Sequence, residues 1–380
     1  MMEKGRCNLQ HKNARLQQVI DAIQPLDEAV MAAAKKRQDA LAKPPGSLGR
    51  LEDLSIQLAG ITGKVHNSVD KRRIVILCAD NGVVAEGVAS APQSVTLAQT
   101  INFTRGLTGV AALARQFGDE LMVVDVGINA RLEHPGVINR KIAMGTKNLA
   151  LEPAMTYDQA LEGLFIGVAL SEQCAAEGVS ILGIGEMGIG NTTTSAAVLS
   201  ALTGLPVEET VGKGGGITED SFQRKKEIIS HALLRYRPDP SDPVDVLAKV
   251  GGFDLCAMTG VFLGAAVQRI PVVVDGYISI VAALAAKRLC KTAASYMILS
   301  HASYELGYEQ AARQLGLEPM LLLHMRLGEG SGCPLAFQVV SAACGAMNRM
   351  GTFAEAAIDD SYLEEIRKGD HFTVQRRDRI

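Results

Sequence analysis

The sequence predicts an α/β protein on a mostly parallel, doubly wound, Rossmann-like sheet covered by helices. Three observations carry this. Short apolar runs alternate with longer stretches of helical periodicity, as buried parallel strands do with their crossover helices. Several of those runs end in an acidic residue, a serine or a glycine-rich loop, where a parallel sheet presents chemistry at one edge. The chain has 380 residues, of which 47% are hydrophobic and 21% charged, which is enough for a large core.

Residues 1–13 are polar and read as a mobile tail. Residues 14–42 carry helical periodicity through Leu16, Val19, Ile20 and Ile23, then Ala29, Val30 and Ala33, with Pro25 as a break. The stiff loop 43–51 (KPPGSLGRL) supplies Lys43 and Arg50, cations that could approach an anion, and leads into a helix at 51–61. Residues 73–79 (RIVILCA) form a buried strand ending at Asp80. A loop at 83–93 precedes helices at 94–103 and 106–117. Residues 121–126 (LMVVDV) are a strand, 130–155 are irregular, and 157–177 form a long helix.

The strand 179–182 opens onto the loop 183–194 (GIGEMGIGNTTT) and a helix at 195–202. Strand, glycine loop and helix in that order make an anion cradle, because the helix N-terminus presents free N–H groups and partial positive charge. No GK[ST] closes the loop, so it is not a Walker A motif. A second glycine loop, 211–216, carries Lys213, and the next helix carries Arg224, Lys225 and Lys226. One of these could reach a phosphate, although such a run is by default a solvated face.

A Pro-rich turn at 239–245 precedes a helix through Ala265. The strand 271–274 ends at Asp275 and is followed by a helix at 278–286. The strand 295–299 ends at Ser300-His301, with His301 read as structural. A helix at 304–315 leads to a strand at 320–323 and then to Glu329, flanked by Gly328 and Gly330. Glycines on both sides let a backbone approach a ligand and adopt positive φ. Helices at 333–350 and 353–366 and a charged tail at 368–380 complete the chain. In a parallel sheet the strand ends at Asp80, Asp125, Glu186, Asp275, Ser300 and the Glu329 loop share one edge, so residues far apart in sequence converge.

Composition narrows the functional classes. Net charge is −3, aromatics are 4% and Trp is absent, which argues against nucleic acid as a partner. No apolar run spans a bilayer and the start of the chain is polar, so neither a membrane nor a signal peptide is expected. Seven cysteines without a CxxC read as reduced thiols in a cytoplasmic protein. The histidines show no metal spacing, and no metal or other cofactor is expected.

Several motifs together resemble the nicotinate-nucleotide–dimethylbenzimidazole phosphoribosyltransferase family, which makes the lower-ligand nucleotide of cobalamin. They are KPPGSLGRLE at 43–52, DNGVVAEGVASAPQSVT at 80–96, GIGEMGIGNTT at 183–193, VVDG at 273–276, SH at 300–301 and LGEGSG at 327–332. The resemblance covers residues 25–366. It implies that nicotinate mononucleotide and 5,6-dimethylbenzimidazole or a related base give α-ribazole 5′-phosphate and nicotinate, with inversion at C1′. It implies Glu329 as the catalytic base, with Ser90 and Gln99 around the acceptor base; Met325 and Leu327, apolar residues that flank Glu329 in sequence, are expected to line the slot for the acceptor ring. Glu186, Gly188, Gly190, Asn191, Thr192, Lys225, Asp275 and Ser303 are then the nucleotide and phosphate candidates.

Two positions depart from the family's usual pattern, Asn81 where His is common and Ala91 before the loop proline; both are expected near the base pocket. The resemblance also implies a homodimer, with a sheet domain at 36–335 and a small helical domain built from both chain ends at 14–35 and 336–367. Two rival readings differ in class. A Rossmann-type dehydrogenase would need an acidic residue ending a strand about 20 residues after the glycines, where Glu208 and Glu209 have no strand context. A non-catalytic nucleotide or benzimidazole sensor would bind without turnover.

Overall fold

The computed structural model describes residues 2–364. These fall into two compact units. One joins the chain up to Pro25 to Lys71–Phe337, and the other joins Leu26–Asp70 to the described residues from Gln338 onward.

The first unit holds a six-stranded, wholly parallel sheet. Its strands are β1 (Arg72–Ala79), β2 (Glu120–Gly127), β3 (Val137–Asn139), β4 (Ile181–Met187), β5 (Val272–Val274) and β6 (Met297–Leu299), in the order β3-β2-β1-β4-β5-β6. This is the doubly wound order, in which ligands bind where the winding reverses, here between β1 and β4. β1 is central because Ile74–Ala79 are buried on both faces. The register pairs Cys78 with Asp125 and with Met187, and Val274 with Leu299. Asp80, Asp125, Glu186, Asp275 and Ser300 therefore lie along one sheet edge.

Helices cover the sheet. Thr156 and Gln159 form a capping box on the helix Tyr157–Ala176, which packs against the helix Phe253–Val267, buried along its length up to Ala266. Glycines make this crossing possible: a Cβ on Gly260 would lie 1.9 Å from the Leu164 carbonyl oxygen.

The second unit contains the helices Glu28–Ala40 and Arg50–Thr62. Asp27 caps the first through the Val30 N–H. Gln38 donates to Ser55 at 2.8 Å, and an antiparallel bridge joins Leu41 to Thr352. Lys43 is buried in an ion pair with Glu52 at 2.7 Å, so the expected anion approach by Lys43 gives way to a structural one.

Several sequence expectations need correction. The stretch read as an N-terminal tail belongs to the helix Met2–Ala22, which packs on Tyr157–Ala176 and Phe253–Val267 and so joins the sheet unit. The division accordingly falls at 26–70 and at Phe337, not at 36 and 335. β3 and the helix Pro243–Val250 stand where irregular chain and a turn were expected. Residues 320–323 form no strand: Leu321 makes one bridge to His301, and Leu322 and Leu323 are exposed. The stretch 353–364 has only the short 3-10 turn Ser361–Leu363. The rest of that expected helix and the 368–380 tail lie outside the described residues.

Candidate active site

A cavity of about 280 Å³ lies within the sheet unit, at the edge where β1 and β4 meet. Glu329 is on its wall, 6% exposed. The loop that carries it turns sharply, with φ of 83° at Gly328, 63° at Glu329 and 91° at Gly330. It sits directly on β4, because a Cβ on Gly185 would come within 2.3 Å of the Glu329 carbonyl oxygen. The alternating glycines of GIGEM therefore serve loop–strand contact as well as the cradle.

The Glu329 carboxylate is held from two sides. Oε2 accepts the Val110 N–H at 3.1 Å, and the Gly109 N–H also donates to the carboxylate, so the N-terminus of the helix Gly109–Phe117 faces the acid. Oε1 has only a long bond, 3.4 Å from Gln99 Nε2. Burial pushes the Glu329 pKa up, against the pull of these donors.

Beside it β4 delivers Glu186. Its Oε1 accepts the Glu329 N–H at 3.2 Å, and its Oε2 accepts from Asn191. Asn191 also donates to Asp254 at 3.3 Å. Burial first, and Asp254 second, push Glu186 up to about 8. Burial likewise raises Asp254 to about 6 and Asp275 to about 7. Burial thus lifts the carboxyls along this edge toward neutrality, against the pull of the amides that donate to them.

The cradle follows Glu186. Gly190 (φ 90°) opens the helix Asn191–Thr203, and a side chain at Gly188 would strike the Ala79 carbonyl oxygen at 2.3 Å. Gly188, Gly190, Asn191 and Thr192 line the cavity at this helix N-terminus. Lys225 lies one step behind, its Nζ donating to Thr192 Oγ1 at 2.9 Å and to the Gly212 carbonyl at 3.1 Å. Burial lowers its pKa to about 8.

Of the residues expected from sequence, Glu329, Ser90, Gln99, Leu327, Glu186, Gly188, Gly190, Asn191, Thr192 and Ser303 line this one cavity. Lys225 reaches it only through Thr192. Met325 is off the wall, and its carbonyl accepts from the Tyr304 N–H. Asp275 is also off the wall, buried beneath the Glu329 loop. Ala91 lines the cavity, but Asn81 does not: it is fully buried under the cradle and accepts from Thr194. His301 is buried, lowered by burial to about 4 and so neutral, with Nδ1 3.0 Å from Ser300 Oγ.

Sequence reading missed the Gly109 and Val110 amides, Asp254, Glu305 and Arg326. The amides carry no side-chain signal, and periodicity starts their helix three residues early. Asp254 sits in an apolar helix, where a lone acid marks itself only by its burial. Among the described residues no group of His, Cys, Asp and Glu is arranged to hold a metal ion.

A family model described as a phosphoribosyltransferase matches residues 23–358. A nicotinate-nucleotide–dimethylbenzimidazole phosphoribosyltransferase of Clostridium perfringens (strain ATCC 13124) is 55% identical over 359 residues, covering 94% of this chain and 99% of the relative. One of the same name from Ruminiclostridium cellulolyticum is 51% identical over 343 residues, covering 90% and 97%. Among solved structures, CobT from Thermus thermophilus superposes with a TM-score of 0.84 at 39% identity, covering 87% of this chain and 99% of that one.

Proposed function

Because the chain belongs to the nicotinate-nucleotide–dimethylbenzimidazole phosphoribosyltransferase family, we propose that it transfers the phosphoribosyl group of nicotinate mononucleotide to 5,6-dimethylbenzimidazole or a related base, with Glu329 as general base. The products are α-ribazole 5′-phosphate and nicotinate. The observation that carries this reading is the Glu329 carboxylate on the cavity wall, held by a helix N-terminus on one oxygen and weakly engaged on the other.

The chemistry asks for one carboxylate. The leaving pyridinium nitrogen is already cationic and departs as a neutral ring, so no general acid is needed, unlike the paired carboxyls of glycosidases. The incoming azole has one N–H and one lone pair. Glu329 Oε1 takes the N–H proton, which makes the other ring nitrogen the nucleophile. Attack from the face opposite the leaving group turns β into α at C1′. Val88, Val95 and Leu327 give the acceptor ring an apolar wall, and Ser90 and Gln99 give it polar contacts. The 5′-phosphate sits at the N-terminus of the helix Asn191–Thr203, with Lys213 and Arg326 also on the wall. Fixing the phosphate positions the distant reacting carbon.

The test is product formation from nicotinate mononucleotide and a panel of azoles, followed by chromatography and mass. Wild-type protein yields an α-ribosyl product. Glu329→Gln keeps nucleotide binding and loses about 10²–10⁴-fold in turnover. Tight nucleotide binding with no product from any azole would favour the sensor reading; near-wild-type turnover in the variant would remove Glu329 from the mechanism.

We further infer a homodimer working in the cytoplasm. Supporting the dimer, Tyr304, Leu306, Leu322, Leu323 and Leu327 are large apolar residues left exposed on neighbouring loops. A solution mass of one chain at micromolar protein would refute it.

A further inference from the structure

The Glu329 loop holds three successive residues in the left-handed region, and the middle one is not glycine. Such a conformation persists at a carboxylate only where the surroundings over-determine it. Here buried acids from two strand ends do so. Glu186, near the end of β4, takes the Glu329 N–H. Asp275, just beyond β5, takes the next free amides: Oδ2 accepts the Gly330 N–H at 2.9 Å and Oδ1 the Gly332 N–H at 2.7 Å.

Asp275 is 1% exposed and has no place on the cavity wall. Its neighbours fix it in turn. Ser300 Oγ donates to the Asp275 carbonyl at 3.1 Å, and neutral His301 lies 3.8 Å from its Oδ1. Gly332 permits the close approach, since a Cβ there would sit 2.8 Å from Asp275 Oδ1 and 2.3 Å from His301 Nδ1.

We propose that Asp275 is a positioning residue for the transfer, its two oxygens clamping the Gly330 and Gly332 amides so that Glu329 is aimed at the acceptor base. This replaces the sequence expectation that Asp275 contacts the nucleotide, and it rests on the reading of Glu329 as general base. The clamp acts only through Glu329, so its loss changes turnover and leaves nucleotide binding alone.

Asp275→Asn keeps the shape but offers one acceptor oxygen, and its NH₂ faces an amide N–H. With saturating azole, kcat falls about 10- to 100-fold, as for a small misplacement of a reacting group. KM for nicotinate mononucleotide stays within about twofold. In a Glu329→Gln background the same change costs less than about twofold, because the group it positions is already gone. A full additive loss in that background, or a raised KM with unchanged kcat, overturns the proposal and leaves the Glu329 assignment standing. Glu329→Gln with wild-type turnover removes the general-base reading itself, and the clamp with it. Amide exchange on ¹⁵N-glycine-labelled wild-type protein gives a check that needs no variant. The Gly330 and Gly332 amides exchange as slowly as the β4 glycines; exchange at the rate of an exposed loop overturns the clamp.

Discussion

At Glu329 two influences oppose each other. Burial favours the neutral acid, while the Val110 and Gly109 amides and Gln99 favour the carboxylate, and burial prevails. On the general-base role proposed for Glu329, the carboxyl must be ionised to act, so kcat/KM rises with pH through its pKa in the free enzyme. The acid limb is expected above the ordinary glutamate value of about 4.3. Gln99 is the donor that can be removed without touching the backbone. Gln99→Leu takes away a hydrogen bond to the charged form, so the limb moves to still higher pH. Turnover at a pH well above the limb changes less than turnover on it. An acid limb that stays in place in Gln99→Leu would show that the 3.4 Å bond has no hold on the proton.

Among the elements, what sequence makes legible follows side-chain periodicity. β1, β2 and the helices Tyr157–Ala176 and Phe253–Val267 are read correctly because their apolar pattern runs for six residues or more and is largely buried. β3 is three residues long and half-buried, too short for any pattern. The run Leu321–Leu323 looks like a strand, yet two of its leucines face outward, and apolar character alone does not specify burial. Pro243–Val250 carries a readable signal, Asp242 as N-cap and Pro at the first position, which the neighbouring prolines disguise as a turn. The proposed site is legible where side chains form it, at Glu329, Glu186 and the glycine cradle. It is illegible where backbone amides do, at Gly109, Val110 and Gly332. Asp275 falls between: the strand end places it correctly, but sequence cannot tell whether a buried carboxylate turns toward a ligand or toward a neighbouring loop.

Across the whole sheet, one edge collects Asp80, Asp125, Glu186, Asp275 and the Glu329 loop, and burial makes several of these acids costly to ionise. Glu186 titrates near 8 in the folded chain and near 4.5 unfolded. Between those values the folded state binds more protons than the unfolded one, so this group's contribution to stability is complete below 4.5 and is lost as pH rises through 8. Asp275, at about 7, acts in the same direction over a lower range. His301 opposes them: its folded value near 4 lies below 6.5, so stability rises with pH up to about 6.5 and is then level. Lys225, lowered to about 8 from 10.5, adds stability only as pH climbs above 8. The interval from 6.5 to 8 therefore isolates the acids. Urea midpoints of the wild-type protein fall across it. Glu186→Gln cannot ionise and keeps the acceptor for the Glu329 N–H, so its stability relative to wild type climbs with pH over the same interval. A difference between the two proteins that stayed constant from 6.5 to 8 would mean that Glu186 is already charged in the folded chain.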